Sequence, residues 1–113
     1  MGIRSDVAIA LKKNVYDMLS VDSRNFLVEW FKEPFETEKE GYLFFTESVK
    51  WYHQSYTDIR AFYNELWNDF EDEDYLILKA CHDYPTSKEG DDGEWHDNPW
   101  QIYRDVSVRI NIG

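Results

Sequence analysis

The segment "SDVAIALKK", residues 5–13, decides the fold. Val7, Ile9 and Leu11 alternate there with the small Ala8 and Ala10. A period of two is that of a strand, in which successive side chains face opposite ways. Ser5 would equally cap a helix over the same residues. The alternation favours the strand, and the rest of the chain is read outward from it.

"NVYDMLSVDSRNFLVEWFK", residues 14–32, has helical spacing in two stripes, Val15, Met18 and Leu19, then Phe26, Leu27, Trp30 and Phe31. A break is expected near residue 21, with Asp22 or Ser23 capping the second part. "EPFETEKEG", residues 33–41, reads as a charged loop. "YLFFTESVKWYH", residues 42–53, is aromatic and β-branched and reads as strand. "SYTDIRAFYNELWNDF", residues 55–70, sets Ile59, Phe62, Leu66 and Phe70 at helical spacing, with Ser55 or Thr57 as cap. "YLILKACH", residues 75–82, has strand length, and "RDVSVRINI", residues 104–112, alternates with Val106, Val108, Ile110 and Ile112 on one face. A polar connection, roughly residues 83 to 100, joins these last two. The order β-α-β-α-β-β predicts an α+β fold, a mainly antiparallel sheet of about four strands with two or three helices on one face.

A length of 113 residues suits a single compact domain spanning 1–113. Aromatic residues make up 18% of the chain and argue against disorder despite a net charge of −11. No apolar run reaches the ~20 residues of a membrane helix. The start, "MGIRSDVAIALKK", lacks a signal-peptide layout. One cysteine allows no internal disulfide, so a reducing cytoplasm is expected.

The charge is concentrated. Residues 65–97 hold twelve acids against Lys79 and Lys88, a balance of −10. Such a segment repels phosphate backbones and anionic membranes, which argues against direct nucleic-acid or membrane binding. It attracts a basic surface. The candidate partner-binding residues are Asp69, Glu71, Asp72, Glu73, Asp74, Asp91, Asp92, Glu94 and Asp97. Tyr63, Trp67, Tyr75, Tyr84, Trp95 and Trp100 are candidate anchors beside them. The bland alternative is a solvated connector that only adds solubility. "EDED", residues 71–74, also follows the C-terminal end of a helix, where the macrodipole disfavours acids.

Catalytic and metal chemistry find less support. Cys81, His82 and His96, with Asp83 and Asp97, lack paired zinc spacing, and adjacent Cys81 and His82 would face opposite ways on a strand. "DDGEWHD", residues 91–97, lacks the calcium-loop pattern. Cys81 within an apolar run and His53 beside aromatics read as structural, and no phosphate-binding glycine loop is present. No catalytic residue, metal or cofactor is therefore expected, and the chain is read as a non-enzyme. In "WHDNPW", residues 95–100, Asp97 or Asn98 can close a turn flanked by Trp95 and Trp100.

"MGIRSDVAIAL", "ESVKWY", "HDYP" and "DNPWQIY" together resemble small acidic proteins of tailed bacteriophages. That resemblance implies a host bacterial cytoplasm and raises the expectation of a host-takeover or anti-defence role. It implies no site residues. The leading expectation is an inhibitor that binds a basic surface of a host nucleic-acid-handling or defence protein, its carboxylates imitating phosphates. Alternatives are a protein that sequesters a nucleotide-like small ligand and, more remotely, a metal-dependent enzyme.

Overall fold

The computed structural model describes residues 4–52, 55–84, 87–104 and 108–110. The chain runs β1 (Ser5–Lys12), α1 (Lys13–Met18), α2 (Val21–Phe31), β2 (Glu36–Glu38), β3 (Gly41–Val49), α3 (Thr57–Asp69), a 3-10 turn (Asp72–Asp74), β4 (Tyr75–Cys81), β5 (Asp92–Gly93), β6 (Tyr103–Arg104) and β7 (Val108–Arg109). This is the expected α+β class. Five antiparallel strands form the sheet in the order β2-β3-β1-β4-β5, and β6 pairs with β7 in a separate ribbon.

The central strand explains the opening alternation. β1 lies between β3 and β4, with Ile9 opposite Phe44 on one side and Ile77 on the other. Val7, Ile9 and Leu11 pack with Val15, Phe26, Leu27, Trp51, Ile59, Phe62 and Leu66 on the helical side. Ala8 and Ala10 pack on the reverse side against Leu43, Leu76, Trp95 and Trp100. Both faces are buried, so the alternation is large against small rather than apolar against polar. Alanine leaves room for the two indoles, which meet edge to face at 6.2 Å.

The helices follow their apolar spacing, with corrected ends. The break falls at Leu19 and Ser20, and Ser20, rather than Asp22 or Ser23, caps α2 by accepting from the Ser23 amide at 3.1 Å. Of the first stripe Val15 and Leu19 are buried, while Met18 is exposed. Neither Ser55 nor Thr57 caps α3; Tyr56 holds that position without a side-chain bond.

Three further expectations are corrected. The charged "loop" of residues 33–41 contains the edge strand β2, whose three exposed residues need no apolar face. The polar connection contains β5, two residues paired with Leu76 and Ile77. The alternating run from 104 to 112 is not one strand of the sheet, because Tyr103 and Arg104 pair back onto Arg109 and Val108. Val108 nevertheless joins Ile102 in the core on the reverse side of the sheet, with Ile110 packed against it. Val106 and Ile112 lie outside the described residues, as does His53.

Two glycines permit close backbone approaches. A Cβ on Gly41 would sit 2.1 Å from the Leu11 carbonyl oxygen, and one on Gly93 2.2 Å from that of Tyr75. Gly93 also has φ +85, where other residues are strained.

Candidate functional site

The two acidic stretches meet at one end of the sheet. After α3 ends at Asp69, Glu71 to Asp74 make a tight turn closed by the Asp74 amide donating to the Glu71 carbonyl at 3.0 Å. β4 then carries the chain away, and β5 returns beside it. The left-handed Gly93 turns the backbone so that the Glu94 amide donates to the Asp72 carbonyl at 2.7 Å. The next amide, of Trp95, donates to the Tyr75 carbonyl at 3.1 Å. An open cleft of about 380 Å³ results, lined by Trp67, Phe70, Glu71, Asp72, Glu73 and Glu94.

The nine candidate residues separate by what they touch. Asp69, Glu71, Asp72, Glu73, Glu94 and Asp97 are exposed. Asp74, Asp91 and Asp92 are half-buried and already engaged. Asp74 accepts from Lys12 Nζ at 3.2 Å, and that ammonium also lies 5.8 Å from the Trp95 ring centroid. Asp91 pairs with Arg104 and accepts from the Lys79 amide at 2.9 Å. Asp92 accepts from the Trp67 indole N–H and from the Gly93 amide. Asp91 and Asp92 fasten β5 and its flanks, and Asp74 ties the turn before β4 to the end of β1, tasks invisible in a count of charges.

The aromatic candidates narrow in the same way. Tyr63, Tyr75, Trp95 and Trp100 are core residues, whereas Trp67 and Tyr84 are exposed. Of the six, Trp67 lines the acidic cleft. Burial, reinforced by the Asp92 and Asp72 carboxylates, raises the Tyr75 phenol above its ordinary range. Tyr63 is likewise raised, chiefly by burial, against a hydrogen bond from Trp51 that opposes the shift. Both phenols therefore stay neutral beside the acids and add no further negative charge.

The residues once grouped for metal chemistry stand apart. Strand alternation places Cys81 on the same side of β4 as Tyr75 and Ile77. His82 follows the strand, and its Nε2 lies 2.9 Å from Asp6 Oδ1. His96 is exposed, with Glu94 Oε2 at 3.6 Å. Among the described residues no group of three His, Cys, Asp or Glu is arranged to hold a metal ion. No helix among them is long and apolar enough to cross a membrane. In the "WHDNPW" turn the buried Asn98 makes the closing bonds, donating to the Trp95 carbonyl at 2.8 Å and accepting from the Ile102 amide at 3.3 Å.

Glu65, one of the twelve acids of the segment, lies outside the cleft and has a structural task. It accepts from the Ser20 amide at 2.8 Å, Ser20 Oγ at 2.6 Å and Ser23 Oγ at 2.8 Å. Burial pushes its carboxyl upward, but these donors outweigh it and leave the group below its ordinary range. The partners lie more than forty residues away, so no local signal could have identified them. No family model matches this chain, and neither a curated protein nor a solved structure matches it.

Proposed function

We propose that this chain is a binding protein whose acidic cleft docks on a basic, nucleic-acid-binding surface of another protein and competes there with phosphates. The observation that carries this reading is the Glu94-to-Asp72 main-chain bond, which joins two sequence-distant acid clusters in one exposed cleft beside Trp67. Glu71, Glu73 and Glu94 would supply the charge. The half-exposed Trp67 ring would supply an apolar anchor of the type enriched at interface centres. A bacterial nucleic-acid-handling or defence protein is the partner class suggested by the resemblance to phage proteins.

The test is affinity capture from a bacterial lysate by the natural chain and by E71K/E73K/E94K, in low and raised salt. Competition of each captured protein by duplex DNA follows. A partner lost with the triple variant, weakened by salt and displaced by DNA is the expected result. A partner held equally by the variant, or one that DNA does not displace, refutes phosphate mimicry.

A further inference from the structure

A second cleft, at the opposite end of β4 from the acidic one, has a different chemistry. It measures about 210 Å³ and is lined by Ser5, Tyr52, Lys79, Cys81, Tyr84, Ser87 and Glu89. Its floor is strand: Ser5 pairs with Cys81, and Val7 with Lys79. Its outer wall comes from Tyr52, Tyr84, Ser87 and Glu89, with the Ser87 amide donating to the Tyr84 carbonyl at 3.0 Å.

Lys79 is the unusual group. The chain around it is pinned, its amide donating to Asp91 and its carbonyl accepting from Arg104. Its amine makes no hydrogen bond or ion pair among the described residues. Asp91, which accepts from the Lys79 amide, is itself paired with Arg104. Burial lowers the Lys79 ammonium below its ordinary value of 10.5, against Glu89 and Cys81, which favour the charged form. A half-buried amine that sheds its proton more readily is a nucleophile.

We propose that Lys79 is a carbonyl-capturing amine and that this cleft takes a small, neutral aromatic aldehyde. The volume is below the roughly 300–1,000 Å³ of sites for drug-sized ligands, which limits the ligand to about one ring. Tyr52 and Tyr84 offer aromatic surface for that ring, and Ser5 and Ser87 offer hydroxyls. The protein's net charge of −11 and the Glu89 carboxylate at the cleft favour a neutral aldehyde over a 2-oxo acid. The amine lone pair attacks the carbonyl carbon to form a carbinolamine. Loss of water, carrying both amine hydrogens and the carbonyl oxygen, then leaves an imine. The step needs no oxidant or reductant, and it goes beyond the acidic-interface reading because it uses separate residues.

The experiment treats the intact chain with benzaldehyde and sodium cyanoborohydride, which traps the imine by delivering hydride to its carbon. Peptide mapping then follows each lysine over time and pH. Lys79 is expected to be labelled severalfold faster than the exposed Lys50 and Lys88, and to begin reacting at lower pH. K79R should lose the label from that peptide while Lys50 and Lys88 keep theirs. Labelling of Lys79 no faster than of Lys50 and Lys88 overturns the proposal.

Discussion

Replacing Glu65 by alanine should loosen the junction between α2 and α3 at neutral pH. The carboxylate is the common acceptor for the Ser20 amide and for the hydroxyls of Ser20 and Ser23. Hydrogen bonds to a charged acceptor contribute about 1.5–3 kcal/mol each when protected from water. Two of these three are solvent-exposed, where water substitutes for the lost partner, and the Ser23 bond is half-buried. A total of about 2–3 kcal/mol follows, counting the protected bond fully and the other two at a fraction. At about 4 °C per kcal/mol for a domain of this size, the melting temperature should fall by roughly 8–12 °C.

The pH dependence gives the sharper test. The folded-state pKa of Glu65 is depressed from its ordinary 4.5. Its stabilisation is therefore fully present above that value and is lost as pH falls through the folded-state pKa. Urea unfolding followed by tryptophan fluorescence, for the natural chain and E65Q, should show a gap that is constant near neutrality and closes below pH 4.5. An E65A protein within about 0.5 kcal/mol of the natural one would refute the reasoning. So would an E65Q gap that persists unchanged in acid.

Two further substitutions probe the β5 end. D91A leaves Arg104 half-buried without its carboxylate and the Lys79 amide without its acceptor, so urea unfolding should show a loss of about 3 kcal/mol. G93A places a methyl 2.2 Å from the Tyr75 carbonyl oxygen at a positive φ, and should cost about 2–4 kcal/mol by the same measurement.

How much of this was legible depends on whether the signal was local. α2 and α3 each bury one face, so their apolar period reports them directly. β1 and β4 bury both faces and are reported by large–small alternation and by an apolar run of strand length. β2 has three exposed residues and is held by backbone pairing alone, so "ETE" carries no burial pattern. Where the final run is described, Val108 is buried and Arg109 exposed, as the alternation expected. Alternation does not say which strand is the partner, and β6 and β7 chose each other over the sheet. At the site, the excess of acids was legible, but their division of labour was not. Asp91 and Asp92 are neighbours in an acidic tract, yet one meets Arg104 and the other Trp67. Those partners are set by how β5 docks on β4, which no spacing within "DDGE" encodes.

That division bears on what the acidic end can be. Exposed carboxylates within a Debye length, about 8–10 Å at ordinary ionic strength, repel one another. Solubility alone needs charge spread over the surface and gives no reason to bring two clusters together. Here the assembly rests on a left-handed glycine, a main-chain bond from Glu94 to Asp72, and Lys12 held on Asp74. Asp74, Asp91 and Asp92 carry the internal contacts, while Glu71, Glu73 and Glu94 line or border the cleft with their carboxylates exposed. Fold and charge are thus assigned to different residues of the same tract. Because of that separation, charge reversal at Glu71, Glu73 and Glu94 tests binding without removing a contact that fastens β5, whereas the same change at Asp91 or Asp92 would confound the two.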